Sequence, residues 1–143
     1  MKSKLFIAFI LSILTVHIFA ACTDDPAPNV DWSNCDKSDI DLTDKNLTNA
    51  KLESTILVRA ILNRAIFFNA KLNHANLTNA IGDHTIFEST ELNSAILNRT
   101  QFDHPIFKSA IANSAVFLSA RLPNANFDKA NLTNAIMKDS ILL

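Results

Sequence analysis

The chain has 143 residues, a formal net charge of −1, one glycine and no tyrosine. That length is about one domain's worth, and 48 % apolar residues with so little net charge exclude a charge-driven disordered chain. A single glycine leaves nothing for glycine-rich phosphate loops or tight two-residue hairpins, which argues against nucleotide-binding α/β folds and hairpin-built sandwiches.

Residues Met1 to Ala21 read as a secretory signal. Lys2 and Lys4 give a positive start, Leu5 to Phe19 is apolar apart from Ser12, Thr15 and His17, and the small residues Ala20 and Ala21 follow. The stretch is shorter than the about 20 residues that span a bilayer, the alternative being a retained anchor. No later segment is long and apolar enough to span. The mature chain is therefore expected to be secreted or periplasmic.

Cys22 and Cys35 flank the polar, proline-stiffened segment Thr23-Asp24-Asp25-Pro26-Ala27-Pro28, so residues 22–35 read as an N-terminal linker and cap. An oxidising compartment favours a disulfide between the two cysteines. Phe19-Ala20-Ala21-Cys22 also looks like a lipoprotein cleavage box, with Phe where Leu is usual. A lipid anchor on Cys22 would exclude the disulfide.

From Leu42 onward a large apolar residue returns at every fifth position, through Leu47, Leu52, Leu57, Leu62, Phe67, Leu72 and Leu77 and on to Met137 and Leu142. Only Gly82 and Ala112 interrupt it. From Ala50 a small residue stands two places before nearly every centre, as at Ala50, Thr55, Ala60 and Ala65. Neither the helical period of about 3.6 nor the strand period of about 2 produces such spacing.

Units such as Ala75-Asn76-Leu77-Thr78-Asn79 and Ala130-Asn131-Leu132-Thr133-Asn134 resemble the pentapeptide-repeat family, whose unit is small–polar–Leu/Phe–x–x. The resemblance runs from about Val30 to Leu143. It implies an all-β fold: a right-handed, four-sided parallel β-helix with four units per coil over residues 36–143, about five coils in all. Central and small residues would point inward. Lys37 occupies a central position against the pattern, so the first coil is expected to be a loose cap with the lysine head in water.

A four-sided coil would make residues 20 apart neighbours, and the sequence is consistent with that. Phe67, Phe87, Phe107 and Phe127 would form an inner aromatic column; Asn73, Asn93 and Asn113 would form an outer amide ladder. Around Gly82, Leu62 and Phe102 are expected to fill part of any void. The last residues, Leu142 and Leu143, suggest association of copies through the C-terminal coil.

Outward positions carry two apolar stripes. One holds Ile66, Ile86 and Ile106 with Phe68 beside them; the other holds Ile56, Ile96, Val116 and Ile136 with Val58 and Leu118 nearby. They read either as strand-favouring residues on an exposed ladder or as a face for a protein partner or self-association. From Asp36 onward acidic and basic residues are equal in number. With no basic stripe, nucleic acid is not expected as a partner. Some members of the family are acidic DNA mimics that bind DNA gyrase, and a neutral exported rod lacks the charge for that work.

Asp83-His84 and Asp103-His104 lie one coil apart, which stacks two imidazoles in one column. Arg64 in that column opposes a cation, and repeated surface histidines are ordinarily solvated. No catalytic, cofactor or metal residue is assigned, a metal-binding role for His84/His104 being the alternative. The sequons at Asn46, Asn76, Asn98 and Asn131 read as by-products of the repeat. The function expected is that of a non-enzymatic, exported interaction module, the alternative to which is a lipid-tethered envelope spacer.

Overall fold

A computed structural model describes residues 22–142; the expected signal, residues 1–21, and Leu143 lie outside the described residues. The described chain winds as a right-handed, four-sided parallel β-helix. Every bridge joins residues one coil apart in parallel register, as in Ile66 to Ile86 and Ile86 to Ile106. The longest extended segments are β1 (Ile81–Asp83) and β2 (Gln101–Asp103), which pair in register.

The unit 61–65 shows why five residues make one side. The Ile61 amide donates to Ile40 O of the preceding coil at 2.9 Å. Those of Leu62 and Arg64 donate to Ile81 O and Asp83 O of the following coil at 2.8 and 2.7 Å. The Ala65 amide donates back to Leu62 O at 3.0 Å and closes the turn. Only the amide just after the centre has no place in this scheme.

Side chains supply that missing acceptor in two ways. Asp31, Asp36, Asp41, Asn46, Asn76, Asn126 and Asn131 each accept it from the residue two places on. Elsewhere an asparagine one coil earlier can serve: Asn63 Oδ1 accepts from the Asp83 amide, Asn73 from Asn93, and Asn98 from Leu118. At Pro123 the donor does not exist. The Asn-Leu-Thr units thus have a backbone role.

The next residue turns the corner. Every fifth position from Asn29 to Asp139 has φ between 49° and 64°, and none is glycine. Asn and Asp enter this region most easily, and the left-handed conformation costs on the order of 1 kcal/mol or more for the Ser, Arg, His and Lys found at other corners. The hydrogen bonds and core burial that each turn enables offset that cost.

Leu and Phe centres and the alanines of the small positions fill the interior. Phe67, Phe87, Phe107 and Phe127 stack with centroids 5.2, 4.9 and 4.9 Å apart and planes within 7°. The buried Thr55, Thr85, Thr90 and Thr100 hydroxyls donate to the carbonyls of Trp32, Leu62, Phe87 and Leu97. At Gly82 there is no void to fill. A Cβ there would lie 2.3 Å from Thr85 Oγ1 and 3.0 Å from the Phe102 ring, and φ is not positive, so the glycine answers to space alone.

The first coil is bound in register instead of hanging loose: the Trp32 and Lys37 amides reach Lys51 O and Ile56 O at 2.8 and 2.7 Å. Nor is the lysine head in water. Lys37 Nζ donates to Cys22 O at 2.6 Å and lies 3.9 Å from the centroid of the Trp32 ring. Burial holds its pKa below the ordinary lysine value against the pull of Asp24 and Asp25. Cys22 and Cys35 form a disulfide with Cα atoms 5.5 Å apart. Asp24 O accepts from Trp32 Nε1 at 3.1 Å, so the segment after Cys22 covers the tryptophan.

Two predictions follow from this packing. Gly82→Ala lowers stability by about 1–3 kcal/mol in denaturant melts, because Thr85 must give up its bond to Leu62 O; an unchanged or higher midpoint would mean the space is open. Reducing the disulfide shifts the emission of Trp32, the sole tryptophan in a chain without tyrosine, to the red and costs about 3 kcal/mol. Emission that stays blue after reduction would show that the cap needs no staple.

Candidate functional site

With centres and small residues inside, only three positions of each unit can meet another molecule: those just before, just after and two after the centre. The bridge partners sort the first of these into four ladders. One runs Asn46, Ile66, Ile86, Ile106, Asn126; another runs Asp36, Ile56, Asn76, Ile96, Val116, Ile136. These are the two stripes expected from the sequence, in the order expected.

Their exposure is uneven. Ile66, Ile86, Ile106, Ile96 and Val116 are half-buried, each shielded by ladder neighbours above and below. The apolar surface that remains is carried by Ile56 (38 % exposed), Ile136 (49 %) and two residues just after a centre, Phe68 (43 %) and Leu118 (36 %). Sorting by column missed a third contribution: Ile61, Ile81 and Ile141 share a ladder with Asp41, Gln101 and Arg121, and Ile111 interrupts the polar ladder of Lys51, Lys71 and Glu91. Ile81, Ile111 and Ile141 are exposed. The same five-residue phase would have found them. Leu142 is also exposed, and Leu143 lies outside the described residues.

Charges meet across neighbouring coils. Asp39 accepts two hydrogen bonds from Arg59, both at 2.6 Å, and Asp44 accepts two from Arg64 at 2.6 and 2.8 Å. Lys51–Asp31 and Lys108–Glu88 make longer pairs at 3.4 and 3.2 Å. The arginine bonds hold the carboxyls of Asp39 and Asp44 below the usual range, and the matching bonds raise the two guanidinium pKa values. Such exposed pairs add little stability, but they use up charge of both signs locally. The result is a rod without a one-signed patch at these columns.

Amides ladder in the same way. The Nδ2 groups of Asn93 and Asn113 each donate at 2.9 Å to the Oδ1 one coil below, the ladder expected from the sequence. A second ladder, Asn29, Asn49 and Asn69, runs along the corner positions.

The histidine column runs Asp44, Arg64, His84, His104, Asn124. The two imidazoles stack with centroids 4.8 Å apart and planes within 7°. His84 Nδ1 lies 2.6 Å from Asp83 Oδ1, and His104 Nδ1 lies 2.9 Å from Asp103 Oδ1. Arg64 does not confront them, since both of its bonds go to Asp44 on the far side.

No helix among the described residues is long and apolar enough to cross a membrane. A protein-family model described as pentapeptide repeats matches residues 46–81 and 107–139, in eight copies. Among solved structures the chain is similar to a pentapeptide repeat protein, Rfr23, from the cyanobacterium Cyanothece 51142. The identity is 21 % and the TM-score 0.41, over 79 % of this chain and 91 % of that one. It is similar as well to QnrB1, a plasmid-mediated fluoroquinolone resistance protein, at 18 % identity and TM-score 0.47, over 81 % and 79 % of the two chains. A pentapeptide repeat protein from the Arabidopsis thaliana thylakoid lumen aligns at 20 % identity and TM-score 0.24, over 76 % and 66 %. No curated protein matches.

Proposed function

The chain is a pentapeptide-repeat protein, and from that premise we propose that it is an exported, non-enzymatic interaction module that docks a protein partner on its isoleucine-bearing faces. The observation that carries this reading is the set of exposed apolar side chains, Ile56, Phe68, Leu118 and Ile136, fixed on a rigid ladder. Each is held by a backbone hydrogen-bonded to the coils beside it. A partner that buries them pays little to order them, which is the condition under which a few anchors dominate binding. Ladder isoleucines alone would follow from strand preference. Phe68 and Leu118 sit on turns, where that preference does not apply.

The disulfide supports export, because such bonds persist mainly outside the cytosol. The signal-like segment before it is consistent with the same address. The matched charge counts support a protein partner over nucleic acid, which demands a basic stripe.

Capture of partners on the tagged chain from the envelope fraction tests the reading. Phe68→Asp combined with Leu118→Asp places one charge on each face at exposed turn positions and leaves the melting midpoint within a few degrees of the parent. The partner recovered by the parent is expected to be lost, with an affinity drop of at least about tenfold in a direct binding assay. Equal recovery by parent and variant, or an unprocessed chain found in the cytosol, would contradict it.

A further inference from the structure

The geometry points to a metal site on the rod: a divalent transition-metal ion with imidazole preference, zinc or copper(II), held between Nε2 of His84 and Nε2 of His104. Asp83, His84 and His104 offer ligand atoms that all lie within 4.8 Å of one another. The two Asp-His pairs follow the paired strands β1 and β2, where Asp83 and Asp103 stand directly opposite. The backbone therefore holds the two imidazoles one above the other.

Ring orientation matters more than proximity. A carboxylate only accepts, so the short contact from His84 Nδ1 to Asp83 Oδ1 fixes the proton on Nδ1 and leaves the Nε2 lone pair free. Asp103 Oδ1 lies 2.9 Å from His104 Nδ1 without a matching hydrogen bond, and it accepts from Asn124 Nδ2 at 3.2 Å. A carboxylate behind each imidazole is the outer-shell arrangement that orients metal-bound histidines. The two rings lie parallel on an exposed column.

Two nitrogens on one tetrahedral zinc stand about 3.4 Å apart, given Zn–N bonds of about 2.0–2.1 Å. The ring centroids stand 4.8 Å apart, and the two half-exposed side chains must tilt toward each other to share one ion. Water or a donor from a partner fills the remaining positions. The column also carries the right charge. Asp83 and Asp103 neutralise a divalent ion, and Arg64, the cation of the same column, is committed to Asp44. Imidazole donors select zinc, copper or nickel over calcium and magnesium, which seek oxygen.

Calorimetric titration of the full chain with zinc chloride at neutral pH tests the site. One ion per chain is expected. His84→Ala and His104→Ala should each weaken binding at least about tenfold, because both nitrogens serve one ion. Asp83→Asn should cost about tenfold through the lost orientation of His84. His74→Ala, on another face, should change nothing. Copper(II) electron paramagnetic resonance on the unmodified chain gives a readout independent of variant folding, with two equatorial nitrogens expected. No binding at millimolar zinc, binding that survives in His84→Ala, or a copper spectrum with a single nitrogen would overturn the proposal.

Discussion

The turn that closes each five-residue unit is the constraint on which the rest depends. The amide of the inward small residue donates to the carbonyl of the centre three places before it, as Ala65 does to Leu62. That bond bends the chain by one side of the coil and fixes what each position can hold. The centre must be large and apolar because it points to the axis. The closing residue must be small or compact, and the corner residue must accept a left-handed backbone. Two positions, together with the outward side chain of the corner, remain for everything else: stabilising the next coil, solubility and recognition.

Those three positions are shared out with little waste. The amide just after the centre lies outside the ladder, and Asp or Asn two places earlier, or Asn one coil earlier, accepts it at many units. Where neither is present, as at Val58, Phe68, Glu88 and Lys108, the position faces solvent and its side chain is unconstrained by the fold. The exposed phenylalanine therefore stands where the backbone makes no demand, and a structural reason for it is hard to find. The histidine pair differs. Its stacking follows from coil register, but the carboxylate behind each ring is a second, separate choice of residue.

Period, coil size, the phenylalanine column and the Asn73–Asn93–Asn113 ladder were legible in the sequence because each is a spacing, and spacing survives without coordinates. What was not legible depends on the direction a side chain takes. Lys37 looked like a misplaced centre, but its long stem lets the ammonium reach Cys22 O and the face of Trp32. Arg64 looked like a hindrance to a cation until its partner proved to be Asp44, one coil away on the side opposite His84. Gly82 looked like a gap in the core, and it is a place where Thr85 and Phe102 have already taken the room. The half-buried state of Ile86 and Ile106 likewise comes from neighbours in the ladder, a crowding that column sorting does not weigh.

Amide hydrogen exchange resolved by residue tests the central claim, that four of every five amides are committed to the coil and the fifth is not. In the middle coils the account predicts protection repeating with the unit. The amides of Ile66, Phe67, Asn69 and Ala70 exchange slowly, while that of Phe68, like those of Val58, Glu88 and Lys108, exchanges at rates close to an open chain. Slow exchange at Phe68 equal to that at Phe67, or protection that follows any other period, would contradict it.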